Sequence, residues 1–312
     1  MKRRVLLAAA GILATLPRAR AQTAAPTRIT VVASFSILGD FVREIAGDAV
    51  DLKTLVGPDQ DAHVFEPSPA DARTLAGAKV VVVNGLGFEG WLERLVKASG
   101  FAGVRVVASE GIKTLRAASR GDPGHGGGHG HSHRAAGSDP HVWQDPRRAQ
   151  AMVRNIARGL AAADPARAAI YEANARAYAE RLAALEAAIA QDLAAVPPER
   201  RRIVTSHDAF AYFEDRFKID FRAPRGVSTE TEPSAADIAR LIREIRREKV
   251  KVVFLENISD PRMIEQVARE GGAQMGGRLY SDALSGAAGP AATYMTMMRY
   301  NASRLRDAML AE

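Results

Sequence analysis

Apolar and polar positions along the chain predict strands and helices in turn. Short continuous apolar runs predict buried strands, and apolar residues recurring every three or four positions predict helices between them. The first four predicted strands are 28–33, 50–56, 79–84 and 104–108. A helix with Ile37, Phe41 and Ile45 follows the first strand, and a helix with Trp91 and Leu95 follows the third. This alternation predicts a parallel sheet flanked by helices.

Two helical stretches occupy the middle of the chain. The first is predicted over 146–163, since Asp145 can act as its N-cap and Pro146 suits the first helical position. The second is predicted over 165–196, a rod of roughly 48 Å at ~1.5 Å per residue. Its apolar residues recur at intervals of three and four. The stripe fits an ordinary packed helix, and the length fits a rigid spine between two lobes.

The α/β pattern then restarts. Strands are predicted at 202–205 and 251–255, with helices ending at about 248, 270 and 310. The predicted fold is therefore α/β, with two mainly parallel sheets that are each flanked by helices. The predicted divisions are a signal peptide at 1–21, a first lobe at 22–164 with a His-rich loop at 121–137, a linking helix at 165–196 and a second lobe at 197–312.

The beginning of the chain has the pattern of a secretory signal peptide. Lys2, Arg3 and Arg4 precede an apolar run over 5–16, and Ala19-Arg20-Ala21 forms a cleavage site. No cysteine is available for lipid attachment. The sequence therefore predicts a periplasmic protein that is not a lipoprotein, exported by the Sec or the twin-arginine route.

Composition narrows the chemistry. Residues 1–21 contain five basic residues and no acid, so their removal lowers the formal net charge from +7 to +2. No basic patch interleaved with aromatic residues is present, and we expect no nucleic-acid partner. The absence of cysteine suits an oxidising compartment without disulfides, and it leaves His and carboxylates as metal ligands.

Five of the seven histidines lie between Gly121 and Pro146. Four of them stand in a glycine-rich run that has no apolar residues to bury: His125, His129, His131 and His133. Such a run suits weak accessory metal binding, although a passive linker has the same composition. His141 differs, because it precedes a well-signalled helix and should lie on an ordered loop. A structural loop histidine and a metal ligand fit that position equally well.

Two other histidines and one aspartate stand near predicted strand ends. His63 follows the second strand, His207 follows the strand at 202–205, and Asp282 follows 277–280. Ligands of open α/β sheets bind beyond the carboxyl ends of strands, so these side chains can share a site. A structural role suits each of them taken singly, and Glu66, Asp145 and Asp208 have similar local settings.

An ordered set of motifs resembles the solute-binding proteins of zinc and manganese ABC importers. The motifs are DAHVFEPSPAD, SDPHVWQDP, TSHDAFAYF, TEPSAADIARLI, KVVFLEN and LYSDALS, and they span nearly the whole chain after residue 21. The resemblance implies two α/β lobes joined by a long rigid helix, with a metal in the cleft between them. It implies that the metal is held by four residues of this sequence: His63, His141, His207 and Asp282.

The resemblance also implies the cargo and the partners. The manganese branch has glutamate where this chain has His207, and three imidazoles with one carboxylate suit Zn²⁺. Some zinc members carry glutamate where this chain has Ala62, a departure that favours Asp282 as fourth ligand. The expected function is capture of Zn²⁺ by a monomer, with delivery to an ABC permease in the inner membrane. A zinc-donating metallochaperone is a further expected partner.

Other functions remain open at this point. Manganese or iron could be the cargo of the same class of transport. An exported zinc hydrolase is a different class, but no His-Glu-x-x-His pair is present and four protein ligands would close the open position that a catalytic zinc needs. An adhesin is a third class, and no sequence feature supports it. We therefore expect no enzymatic activity.

Overall fold

The computed structural model describes residues 27–117 and 137–311. The predicted signal peptide and the four histidines of the glycine-rich run lie outside these residues. The strands are β1 (Ile29–Phe35), β2 (Val50–Val56), β3 (Val80–Val83), β4 (Val104–Val107), β5 (Arg202–Val204), β6 (Asp220–Arg222), β7 (Val252–Glu256) and β8 (Gln274–Leu279). The α-helices are α1 (Ser36–Ala46), α2 (Pro69–Ala76), α3 (Leu92–Ser99), α4 (Pro146–Ala163), α5 (Ala168–Ala194), α6 (Ala211–Phe217), α7 (Ala235–Glu248), α8 (Pro261–Gly271) and α9 (Tyr294–Leu310).

The strands form two separate parallel sheets with the same internal order. The first sheet is ordered β2-β1-β3-β4 and the second β6-β5-β7-β8. All pairings between these strands are parallel. Helices connect successive strands, as parallel pairing requires. The predicted α/β fold with two parallel sheets is confirmed, and we call each sheet with its helices a lobe.

Strands buried on both faces explain the continuous apolar runs. Val31, Val32 and Ala33 of β1 are fully buried, as is the Val-Val-Val run that begins β3. One cluster of buried apolar residues continues from the first sheet through α4, α5 and α9 to β5 and β7. A smaller cluster joins α7 and α8 to the second sheet. The lobes are therefore packed through a shared core rather than only tethered.

The middle helices match the sequence prediction with one correction. Helix α4 has the predicted bounds, and its N-cap Asp145 accepts the Arg147 N–H at 2.9 Å. The long helix, predicted over 165–196, is shorter, because residues 165–167 form a separate 3₁₀ turn and α5 begins at Ala168. Its buried stripe includes Tyr178, Leu182 and Leu185, as the spacing predicts. It packs on α1, α4 and α9.

Three elements were not predicted. Helix α2 has a Ser68–Asp71 capping box and Pro69 at its start, but its short apolar face gave a weak periodic signal. Strand β6 has only three residues, and β8 begins with exposed Gln274 and Met275. The last helix begins at Tyr294, three residues later than expected, because Thr293 caps it. None of the helices in residues 27–117 and 137–311 is long and apolar enough to cross a membrane.

Candidate metal centre

Four polar side chains from loops at the ends of strands and helices lie close together. His63 lies between β2 and α2, His207 between β5 and α6, and Asp282 between β8 and α9. His141 precedes a 3₁₀ turn at Val142–Gln144 that leads into α4. Parallel sheets present their carboxyl-end loops on one edge, which explains why three of these positions meet. The fourth depends on the start of α4.

The four side chains form a compact buried group. One ligand atom from each lies within 4.8 Å of the others. His63 is 5 % exposed, and His141, His207 and Asp282 are fully buried. Asp282 Oδ2 lies 3.2 Å from His63 Nε2 and 3.1 Å from His207 Nε2, and Asp282 Oδ1 lies 3.6 Å from His141 Nε2. Burial of this many polar groups is costly unless they are paired or bind a cation.

These facing atoms have no hydrogen-bond partner in the described part of the chain. They are the Nε2 atoms of His63, His141 and His207 and both carboxylate oxygens of Asp282. Buried polar atoms in folded proteins normally find a partner, so a convergent set without one calls for a ligand. Nitrogen and oxygen donors at this spacing fit a divalent transition-metal ion.

Two further carboxylates orient two of the imidazoles. Asp139 Oδ1 lies 2.8 Å from His141 Nδ1 and accepts the His141 N–H at 2.9 Å. Glu256 Oε2 lies 2.6 Å from His207 Nδ1, although at an angle unsuited to a hydrogen bond, and Oε1 accepts the His207 N–H at 2.8 Å. A carboxylate beside Nδ1 leaves Nε2 as the atom that can bind a metal.

The carboxylates also set the charge of the imidazoles. Burial lowers the pKa of His141, but Asp282 and Asp139 outweigh burial and raise it to about 9. Burial opposes protonation of His207 as well, yet Glu256 and Asp282 hold its pKa well above the usual value. Burial raises the pKa of Asp282, but His141 and His207 hold it well below its ordinary range. His141, His207 and Asp282 thus form a network of two imidazolium groups and one carboxylate at neutral pH.

Aromatic rings close the first-lobe side of the site. Phe88 contacts the His63 ring edge-on, with centroids 4.6 Å apart, and lies 5.9 Å from the His141 ring. Trp143 packs on Phe88 and on Phe35, with centroids 4.9 Å and 5.1 Å apart. An apolar wall of this kind excludes water and strengthens electrostatic contacts with the cargo.

Hydrogen bonds between the lobes hold the ligand loops against each other. Asp61, two residues before His63, accepts the Thr229 hydroxyl at 2.6 Å and the His63 N–H at 2.9 Å. Asp59 donates its N–H to the Leu284 carbonyl at 2.9 Å and accepts the Asn257 side-chain amide at 3.0 Å. The loop that carries His63 is therefore hydrogen-bonded to the loop that carries Asp282 and to other loops of the second lobe.

The structure sorts the candidate residues of the sequence. It brings together the four residues that the family resemblance implies, His63, His141, His207 and Asp282. Asp145 caps α4 instead, and Glu66 is exposed on the His63 loop. Asp208 is buried, and its N–H donates to the Gly226 carbonyl at 3.2 Å. The sequence reading missed the orienting carboxylates Asp139 and Glu256.

The fold and the site define a class, the two-lobed α/β proteins that bind a metal ion. The residues over 31–308 match the family described as "Zinc-uptake complex component A periplasmic" (ZnuA). The chain belongs to this family. Proteins of this family act with an ABC permease and its ATPase as the substrate-binding component.

Similar proteins carry names that mention different metals. The iron-binding protein YfeA of Yersinia pestis is 33 % identical over 87 % of this chain and 83 % of its own length. The manganese-binding lipoprotein MntA of Halalkalibacterium halodurans is 32 % identical over 88 % of this chain and 86 % of its own. The solved periplasmic zinc-binding protein TroA of Treponema pallidum superposes with a TM-score of 0.82 at 28 % identity, covering 91 % of this chain and all of that one. The class is therefore shown, and the cargo metal is a separate question.

Proposed function

We propose that the protein captures Zn²⁺ in the cleft and delivers it to an ABC permease for import. The ligands in this proposal are the Nε2 atoms of His63, His141 and His207 and the carboxylate of Asp282. The observation that carries the proposal is the donor set: three buried imidazole nitrogens and one carboxylate, all without another partner among the described residues. Zn²⁺ favours four-coordinate sites of nitrogen and oxygen donors, whereas Mn²⁺ favours more oxygen-rich sites.

The spacing of the donors supports four-coordinate zinc. In a tetrahedron with Zn–N and Zn–O bonds of about 2.05 Å, neighbouring ligand atoms lie about 3.3 Å apart. Asp282 Oδ2 lies 3.1 Å from His207 Nε2 and 3.2 Å from His63 Nε2, close to that value, and Asp282 Oδ1 lies 3.6 Å from His141 Nε2. The four ligand atoms all lie within 4.8 Å of one another, so the side chains would move closer together around the ion.

Manganese or iron is the alternative cargo. The names of the relatives from Halalkalibacterium halodurans and Yersinia pestis favour it, since they mention manganese and iron. Mn²⁺ prefers more oxygen ligands than three imidazoles and one carboxylate offer, whereas imidazole suits iron as well as zinc. The donor set therefore favours zinc over manganese, and it does not separate zinc from iron.

We further propose that the protein is a monomer and that its chain divides as predicted, with lobes at 22–164 and 197–312 joined by a linking helix at 165–196. The signal peptide at 1–21 would direct it to the periplasm. Relatives such as the Halalkalibacterium halodurans protein are named lipoproteins, whereas the printed sequence has no cysteine to carry a lipid. Intact mass after export would show whether the protein is lipidated and where it is cleaved.

Four histidines outside the described residues form the second part of the proposal. His125, His129, His131 and His133 would bind additional zinc weakly and pass it to the cleft. A short tether to His141 raises the effective concentration of a captured ion at the cleft. A zinc-donating metallochaperone would be a partner at the same stage.

Competition between metals tests the proposed cargo. Dialysed protein is titrated with Zn²⁺ and with Mn²⁺, and we expect one tight zinc site and a much lower affinity for manganese. His207→Glu should lower the zinc-to-manganese affinity ratio, since it replaces imidazole with a hard oxygen donor. An unchanged ratio would show that His207 does not set the preference, and tighter binding of manganese by the native protein would contradict zinc as cargo.

The carboxylate of Glu256 would affect a His207→Glu variant. A glutamate at 207 would lie beside Glu256, and two buried carboxylates repel each other. The variant is therefore best made together with Glu256→Gln, and Glu256→Gln alone is the matched control. A change in metal preference must appear in the double variant relative to that control.

A further inference from the structure

The turn that carries His141 is bonded to the second lobe on both sides of the imidazole. Tyr212 in α6 donates its hydroxyl to the Asp139 carbonyl at 2.7 Å. Tyr294, the first residue of α9, donates its hydroxyl to the Trp143 carbonyl at 2.6 Å. These two carbonyls lie two residues before and two residues after His141. Both tyrosines belong to the lobe that carries His207 and Asp282.

Both tyrosines are suited to hold a fixed position. Each is fully buried. Burial raises the pKa of Tyr212 to about 12 and the pKa of Tyr294 well above its ordinary value, so both hydroxyls stay protonated donors at neutral pH. The Leu115 N–H donates to the Tyr212 hydroxyl at 3.1 Å, and the Tyr294 N–H donates to Asp40 Oδ2 at 2.8 Å.

The His141 turn also donates hydrogen bonds to the loop that carries Asp282. Trp143 Nε1 and Gln144 Nε2 both donate to the Ser281 carbonyl, at 2.9 Å and 2.8 Å. Ser281 is the residue before Asp282. The turn is also held by its own lobe, since Asn84 donates its side-chain amide to the Pro140 carbonyl at 2.9 Å. The position of His141 relative to Asp282 thus depends on the bonds that cross from the second lobe.

We propose that Tyr212 and Tyr294 are positioning residues for the cargo metal. Their hydroxyls fix the position of the His141 turn relative to the second lobe. The bound ion therefore leaves more slowly than it would if the His141 turn could move relative to the other ligands. The proposal rests on the proposed function, in which His141 and Asp282 bind the metal. A preorganised ligand set loses less entropy on binding, and a loosened one exchanges faster.

Zinc release from Tyr212→Phe and Tyr294→Phe tests this role. Each substitution removes one hydroxyl and keeps the buried ring. Release is followed after mixing zinc-loaded protein with excess chelator, and each variant should release zinc about threefold to tenfold faster, the change expected for one lost buried hydrogen bond. The association rate should stay unchanged. With Co²⁺ as probe, the visible absorption bands should shift, since they report the geometry of the ligands.

Tyr171→Phe is the matched control. Tyr171, in the first turn of α5, is also fully buried. Its hydroxyl donates to Asp164 Oδ2, just before that helix, at 2.8 Å. The control should lose thermal stability as the test variants do, while releasing zinc at the native rate and keeping the native cobalt spectrum. A faster release in the control as well would show a general effect of lost stability and would overturn the positioning role.

The remaining outcomes separate this inference from the proposed function. Native release rates and cobalt spectra in both Tyr212→Phe and Tyr294→Phe, in a protein that binds zinc tightly, would overturn the positioning role alone. Failure of the unsubstituted protein to bind zinc would overturn the proposed function, and the positioning of zinc with it.

Discussion

At the scale of single residues, the candidate site can exchange its cargo without a change in buried charge. Three carboxylates, Asp139, Glu256 and Asp282, face the imidazoles. Without metal, the raised pKa values of His141 and His207 place a proton on each ring at neutral pH. A divalent ion brings the same two positive charges when both protons leave. Uncompensated buried charge is strongly unfavourable, so this balance favours exchange of two protons for one ion.

Proton release provides the first prediction. Binding of one Zn²⁺ at pH 7 should release about two protons, since imidazolium cannot bind a metal. The affinity should therefore rise with pH, and the rise should become less steep as pH passes the pKa of His141, about 9, because His141 no longer has to lose a proton. Calorimetric titrations in buffers of different ionisation enthalpy measure the number of protons. Release of none would contradict the protonated metal-free site.

The orienting carboxylates provide the second prediction. Asp139→Asn and Glu256→Gln should each lower zinc affinity about 10- to 100-fold, as is typical for lost partners of metal-binding imidazoles. Glu93→Gln is a suitable control, since Glu93 pairs with Arg105 on the surface at 2.6 Å. It should leave the affinity unchanged. Competition with a chelator of known affinity gives the values, and native affinity in both test variants would contradict the assigned role.

The sequence reveals some of these residues and hides others for a physical reason. His63 and His207 follow predicted strands, and this placement suggests a shared edge. Glu256 and His207 stand far apart in the chain, and only the pairing of β5 with β7 brings their loops together. Motif spacing cannot show such a contact, because it depends on strand order rather than on local sequence.

At the scale of secondary-structure elements, the close packing of α4 on the first sheet depends on a missing side chain. A Cβ at Gly159 would lie 2.3 Å from Val106 Cγ2 of β4. Glycine is otherwise unfavourable inside a helix, by about 1 kcal/mol relative to alanine. The close approach of β4 explains why residue 159 is glycine. The packing matters for the site because α4 begins at the turn that carries His141.

Gly159→Ala provides the third prediction. Overpacking should lower the free energy of unfolding by about 1–3 kcal/mol, despite the better helix propensity of alanine. Val106→Ala should recover part of this loss in the double variant. Gly77→Ala is the control, since its Cβ would meet nothing closer than the Arg73 carbonyl at 3.8 Å. Chemical denaturation measures the four proteins, and a stabilised Gly159→Ala variant would show that α4 can move away from the sheet.

Elements with strong end signals could be predicted, and short elements could not. The Asp145-Pro146 pair places the start of α4 at the correct residue, and the apolar stripe identifies most of α5. Strand β6 has three residues, too few for an alternating pattern to stand out from a loop. The stability of such a strand comes from its neighbour β5, which the local sequence does not show.

At the scale of the whole molecule, the chain separates an ordered site from a glycine-rich segment with four histidines. The described residues on either side of that segment meet, since Arg116 and Ser138 form an antiparallel bridge and the hydroxyls of Thr114 and Ser138 lie 2.9 Å apart. A shortened connection should therefore leave the two ends in place. This arrangement allows the segment to be removed without disturbing the cleft.

Deletion of residues 121–137 provides the fourth prediction. The cleft affinity should stay close to native, the weak additional zinc should be lost, and loading should slow when zinc is scarce. Below about pH 6 the weak zinc should leave the intact protein first, because ordinary imidazoles have a pKa near ~6.5. Asparagine at all four positions, His125, His129, His131 and His133, is the control that keeps the length. Equal stoichiometry and loading rates in all three proteins would identify the segment as a passive linker.

The central claim is that the cleft holds zinc on His63, His141, His207 and Asp282. The most direct measurement is a crystal structure of protein given equal amounts of Zn²⁺ and Mn²⁺, with anomalous difference maps at both absorption edges. Our account predicts a zinc peak bonded to the three Nε2 atoms at ~2.0–2.1 Å and to the Asp282 carboxylate at ~2.0–2.2 Å. A manganese peak in the cleft, or zinc bound elsewhere with these four side chains apart, would contradict it.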